Sequence, residues 1–226
     1  MIKRVALGGV LAALLLLVCG PVQADNFFGL FDGEKGSGNL TSETRTVKAF
    51  DRIDLECSMD LEIEIGEPQQ VTVVIDDNLQ DNIILETVGS RTLLIDADNL
   101  RKTHRRTHIE IRVPTLERLT ISGSGDVEVN DLKQDDFEIR IEGSGDVSVQ
   151  GAAKHLSVTI SGSGDVDCRN LESSDADVEI NGSGDVSVFA SEEFAGYING
   201  SGDIVVYGEP KRFNRRVNGS GDITRR

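Results

Sequence analysis

Between Ile53 and Ile65 apolar and polar residues alternate without a break, with Ile53, Leu55, Cys57, Met59, Leu61, Ile63 and Ile65 on one parity. Successive side chains of a strand point to opposite faces, so this stretch predicts half-buried β-structure. The turn Gly66-Glu67-Pro68-Gln69 follows, and further strand patterns lie at 71–75, 83–88, 92–95 and 109–113, with Gly89-Ser90 as a second turn. No stretch carries the period of a long amphipathic helix.

Downstream the alternation becomes a repeat. Gly-Ser-Gly-Asp begins at Gly123, Gly143, Gly162, Gly182, Gly200 and Gly219, at intervals of 18–20 residues. Two residues before each first glycine stand Ile121, Ile141, Ile160, Ile180, Ile198 and Val217; four after it stand Val127, Val147, Val166, Val186, Ile204 and Ile223. Six after it come Val129, Val149, Cys168, Val188 and Val206, with Arg225 breaking the last column. These apolar columns share the parity of the glycines, whereas Ser122, Glu142, Ser161, Asn181, Asn199 and Asn218 take the other. One parity lines an interior and the glycines avoid a collision in a tight corner. The expected fold is all-β: a single-domain β-solenoid with irregular N-terminal strands. Two short strands flank each corner, and segments such as 130–134 and 150–154 close the coil. No coil buries its own core, so stability sums over neighbours. The irregular β-region spans 47–121 and the six repeats span 122–226.

Composition agrees with a narrow core. Trp is absent and aromatic residues make up 4%, which suits stacked β-branched side chains better than a wide globular interior. Lys3 and Arg4 precede an apolar run over 5–18, and Val22-Gln23-Ala24 supplies a cleavage site, so residues 1–24 read as a secretory signal. The rival is lipidation at Cys19, against which Val18 counts, because a small residue is expected there. Export places the mature chain in the periplasm, on the outer surface or outside the cell, with no transmembrane segment after cleavage. The 23 basic residues then fall to 21, against 39 acidic ones, which disfavours nucleic acid as a partner. Residues 25–46, with Gly33, Gly36, Ser37 and Gly38, read as a flexible linker in which Phe27, Phe28 and Phe31 stand out. Cys57 and Cys168 fall on inward parity and read as buried free thiols, with a disulfide as the alternative.

The order Val47-Lys48-Ala49-Phe50-Asp51-Arg52-Ile53, acidic alternating strands, Val113-Pro114-Thr115-Leu116 and then Ser-Gly-Ser-Gly-Asp-Val repeats resembles the head GIN domain family of auto-transporter adhesins, over about residues 47–226. The resemblance implies a bacterial β-solenoid, a role in adhesion or cell-surface binding, and no catalytic residues. Neither a membrane-anchoring barrel nor a heptad stalk is visible in 47–226, so the adhesin reading rests on likeness of fold.

The candidate repeat face consists of Ser124, Asp126, Ser144, Asp146, Ser163, Asp165, Ser183, Asp185, Ser201, Asp203, Ser220 and Asp222. Carboxylates stacked about 4.8 Å apart repel by roughly 1 kcal/mol in water, so something must relieve them. Backbone N–H groups of the glycine corner are one answer. Calcium between rungs, as in Gly- and Asp-rich β-rolls, is the alternative. A second candidate is a polyanion patch at Arg101, Lys102, Arg105 and Arg106, whose competing reading is an exposed loop that pairs with acidic strands. His104, His108 and His155 have no ligand set around them. Catalysis is not expected: the acids recur at equivalent places, and the serines lack a strand-to-helix nucleophile elbow. No cofactor is expected beyond the calcium alternative. The expected partner is an envelope or extracellular ligand, either a glycan or a protein.

Overall fold

The computed structural model describes residues 33–98, 100–102 and 106–226. The expected signal peptide, Cys19, Phe27, Phe28, Phe31, His104 and Arg105 lie outside the described residues.

Parity builds the core as expected. Ile121, Ile141, Ile160, Ile180 and Ile198 are successive partners in a parallel stack, and all five are buried. Val127, Val147, Val166, Val186, Ile204 and Ile223 form a second buried column after the corners. Each such side chain is worth about 1.5–3 kcal/mol when removed from water. A single rung reaches that burial only between two others. Val217 continues the column in register with Ile198 but is 39% exposed, because its strand, Arg212–Gly219, pairs on one side only, with Glu193–Gly200. Phe213 stacks on Phe194 at 5.1 Å in the same end rung.

The segments between repeats differ from expectation. Val127–Ile141, Val147–Ile160 and Val166–Ile180 are continuous strands that bend within 130–134 and 150–154 instead of ending there. Leu132, Gly151 and Leu171 are register partners through this bend, and both leucines are fully buried. An apolar anchor inside the bend keeps the backbone paired. Where the interval shortens, the strand divides into Val186–Phe189 and Glu193–Gly200.

The N-terminal region ends the parallel stack with antiparallel strands. On one face Thr92–Ala97 pairs parallel with Arg52–Leu55 and antiparallel with Ile83–Val88. On the other, His108–Val113 pairs parallel with Asp60–Ile65 and antiparallel with Gln70–Asp76. Leu40–Arg45 then adds antiparallel to Gln70–Asp76, and Glu34–Lys35 pairs with Leu100–Lys102. The expectation of a flexible linker is therefore corrected for residues 34–45. That segment is fixed by backbone pairing and by polar contacts, including Gly38 N–H to Asp76 at 2.7 Å and the Gln80 amide to Thr41. Leu40–Arg45 is mostly exposed, so no apolar alternation marks it as a strand. A 3-10 turn at Asp77–Asn82 supplies Asn78 and Gln80 for these contacts.

Candidate functional site

The candidate site grows from the corners. In every Gly-Ser-Gly-Asp unit the serine and aspartate side chains are exposed. The glycines are required by the stack itself. A Cβ on Gly143 would lie 1.9 Å from the Gly123 carbonyl oxygen, and one on Gly162 would lie 1.9 Å from that of Gly143. The crowding runs along the solenoid axis, from corner to corner, rather than into the interior as the parity argument suggested.

This close approach sets up a ladder. From Ser144 onward each motif serine N–H donates to a glycine carbonyl one rung earlier, as Ser144 does to Gly123 at 3.1 Å. Each aspartate N–H donates to the carboxylate Oδ1 of the aspartate before it: Asp146 to Asp126 at 3.0 Å, Asp165 to Asp146 at 2.8 Å, and Asp185 to Asp165, Asp203 to Asp185 and Asp222 to Asp203 at 2.7 Å each. Each aspartate carbonyl also accepts an N–H from the preceding rung, as Asp146 does from Val127. The like charges are thus interleaved with amide donors, which charge-assisted bonding favours. Capping within one corner, the pattern expected from sequence, occurs at Asp222, which accepts the Ile223 N–H at 2.8 Å. The other donors come from the next rung.

The ladder starts one rung earlier than the repeat. Asp126 N–H donates to Asp60 at 3.0 Å, and Gly123 and Gly125 pack against the carbonyls of Cys57 and Met59. Cys57-Ser58-Met59-Asp60 is therefore a degenerate first corner. Its signal was Ser58 and Asp60 at the motif spacing, with Leu55 and Leu61 in the apolar columns. Cys57 and Cys168 are both free thiols, Cys57 half-buried and Cys168 buried, and burial pushes both thiol pKa values up.

Alongside the ladder runs a groove of about 610 Å³ whose acidic rim includes Asp126, Glu128, Asp146, Asp165 and Asp167. Ser148 and Ser187 lower the wall between acids. Arg169 crosses it, donating to Asp167 at 2.8 Å and lying 5.8 Å from the centre of the Tyr207 ring. Among the described residues, no group of three or more His, Cys, Asp or Glu side chains is placed to hold a metal ion.

Of the basic run, Arg105 lies outside the described residues. Arg101 and Lys102 belong to the strand Leu100–Lys102, and Arg106 is exposed in a turn where its carbonyl lies 2.8 Å from His108 Nδ1. Two groupings escaped the sequence reading because they join distant residues. Arg91 bridges Asp51 and Glu117, and His155 Nδ1 lies 2.9 Å from Asp175. No helix among the described residues is long and apolar enough to cross a membrane.

Comparison with known proteins gives the same outline. A crystal structure of a "putative adhesin" from Bacteroides fragilis matches with TM-score 0.71 and 23% identity, covering 86% of this chain and all of that one. From Parabacteroides distasonis, a "putative lipid binding protein" matches at TM-score 0.56 and 22% identity, and a "putative adhesin" at 0.54 and 22%; each covers 85% of this chain and 99% of its own. Identities this low establish shared fold alone. No curated protein matches the chain. The family model described as "Putative auto-transporter adhesin, head GIN domain" matches residues 49–210, a span that contains five of the six glycine corners and the N-terminal cap strands except Glu34–Lys35 and Leu40–Arg45, and the chain belongs to that family.

Proposed function

We propose that the protein is an exported, non-catalytic binding module that uses the fixed faces of its solenoid for adhesion to an envelope or extracellular ligand. The observation that carries this reading is the corner column: twelve exposed serine and aspartate side chains held in register by backbone ladders. A rigid polar array loses little conformational entropy on binding, which is how preorganisation favours affinity. Repeated acids in equivalent settings form a surface, whereas general acid–base catalysis depends on one or two groups with distinct environments.

A binding screen of the purified chain against glycans, outer-membrane vesicles and cell-wall fragments tests the reading. Saturable binding to one envelope component is expected; absence of binding across the whole screen overturns it. A calcium-stabilised envelope scaffold is the competing reading, supported by the exposure of the aspartates, each of which uses Oδ1 alone in the ladder. A rise of many degrees in melting temperature on replacing EDTA with millimolar calcium would favour that scaffold, by binding linkage.

A further inference from the structure

On the sheet face before the corners, four successive rungs leave a groove of about 380 Å³ that shares no lining residue with the groove beside the aspartate ladder. Its centre is low because Ala195 occupies an outward position between Asp177 and Asn214 on the neighbouring strands. At one side stands Tyr197, with the Arg216 guanidinium 5.9 Å from its ring centre. We propose that this groove binds a neutral, hydroxyl-rich glycan. The proposal rests on the adhesion reading and names both the ligand class and the site.

The mixture of charges favours such a ligand. In a chain of formal charge −16, this groove sets Asp177 and Glu179 beside Arg216 and the Asn214 amide, while Arg215, on the other parity, donates to the Ile223 carbonyl at 2.6 Å. An uncharged ligand gains hydrogen bonds from both signs and pays no net repulsion. Sugar hydroxyls suit both, since each can donate to a carboxylate and accept from a guanidinium or from the Asn214 amide. Asp177 is the most demanding acceptor. Its burial, with Glu193 and Asp175 nearby, raises its pKa against the opposing pull of His155. Hydroxyl donors would relieve that carboxyl without adding another full charge. Tyr197 supplies the apolar ring on which the C–H face of a sugar can rest. This groove thus combines an aromatic surface, carboxylates, an amide and the Arg216 guanidinium across a few rungs, while the ladder groove is rimmed mainly by acids.

The chain has no Trp and two Tyr residues, so Tyr207→Phe leaves Tyr197 as its sole strong intrinsic fluorophore. In that background the full chain is titrated with neutral oligomers of glucose, mannose, galactose and N-acetylglucosamine, and with spermidine as a cationic probe. Saturable change in Tyr197 emission with at least one neutral oligomer is expected, and none with spermidine at matched ionic strength. Calorimetry then compares Tyr197→Ala, Tyr197→Phe and Asp177→Ala, with circular dichroism melts confirming that each variant folds. Tyr197→Ala and Asp177→Ala should weaken binding about tenfold or more, while Tyr197→Phe and the ladder-groove control Ser148→Ala should retain it. Oligosaccharide binding unaffected by the groove variants overturns this site and leaves the adhesion reading standing. Binding of spermidine alone, or of no neutral oligomer, overturns the ligand class. Failure of the wider envelope screen as well would remove the adhesion reading itself.

Discussion

The cap and the repeat reach stability by opposite means. From Ser122 onward one solution recurs: parallel register, glycine at the close approach, aspartate joined to aspartate, and β-branched columns behind them. Upstream, individual polar groups each serve one place. Arg91 ties Asp51 to Glu117, Gln80 fastens Leu40–Arg45, and Asp76 holds Gly38. The repeat therefore constrains the corners and inner columns while leaving much of its outer surface open to substitution. The cap is specified contact by contact, and its antiparallel strands end a pattern that would otherwise continue.

The sharpest break in this comparison is a corner glycine. Gly162→Ala places a methyl against the Gly143 carbonyl, where every near atom is backbone of the preceding rung and has little room to yield. A loss above about 4 kcal/mol is expected in urea unfolding, which places it among exceptional substitutions. Gly89→Ala in the cap turn meets nothing within 4 Å and should cost about 1–2 kcal/mol for its positive φ alone. Similar costs at the two sites would show that axial crowding does not set the repeat.

Core truncation comes next. Ile160→Ala should cost about 2–5 kcal/mol, whereas its outward neighbour Thr159→Ala should stay within about 0.5 kcal/mol. Equal losses in the same unfolding assay would contradict the parity assignment. Smaller still is Asp165→Ala, which removes the acceptor for the Asp185 N–H and should cost about 1 kcal/mol. Asp165→Asn keeps an acceptor oxygen and should recover most of that loss; no recovery would mean that the negative charge, rather than the hydrogen bond, matters.

The smallest expected effect is an acid-sensitive contribution that includes the cap. Arg91 holds the Glu117 carboxyl below its ordinary range. At Glu138, burial raises the pKa, but hydrogen bonds and charge from Arg140 and Arg118 outweigh it and leave the group lowered. A depressed carboxylate stabilises the fold above its unfolded pKa, and that contribution fades as pH falls through the folded value. Melting temperature should therefore decline below the ordinary glutamate range. Arg91→Ala should remove the Glu117 part of that decline by slightly lowering the melting temperature at neutral pH while leaving the acid end almost unchanged. An identical acid profile in this variant would show that the bridge is inert.

The repeat was legible because glycine corners and alternating apolar columns write themselves at fixed spacing. Ile121 through Ile198 could be assigned to one buried column from parity alone. Cys57-Ser58-Met59-Asp60 was harder to see, since two glycines were replaced where no Gly-Ser-Gly-Asp corner lies on its other side. Leu40–Arg45 was misread because it is held by backbone pairing and carries no buried apolar face. The interleaving of Asp N–H with the preceding carboxylate depends on axial spacing, which sequence periodicity does not supply. The groove at Tyr197 joins positions on four rungs, and only their register brings them together.

Stacked, exchangeable rungs are the central claim, and deleting one rung tests it most directly. Removing residues 142–160 joins Ile141 to Ser161 and brings the Asp165 corner beneath that of Asp126. The account predicts a shorter protein that unfolds cooperatively, keeps its β-sheet circular dichroism and melts at a lower temperature, whereas removing 142–151 shifts the register and abolishes the fold. If the whole-rung deletion loses cooperative unfolding as completely as the half-rung deletion, the solenoid account is wrong.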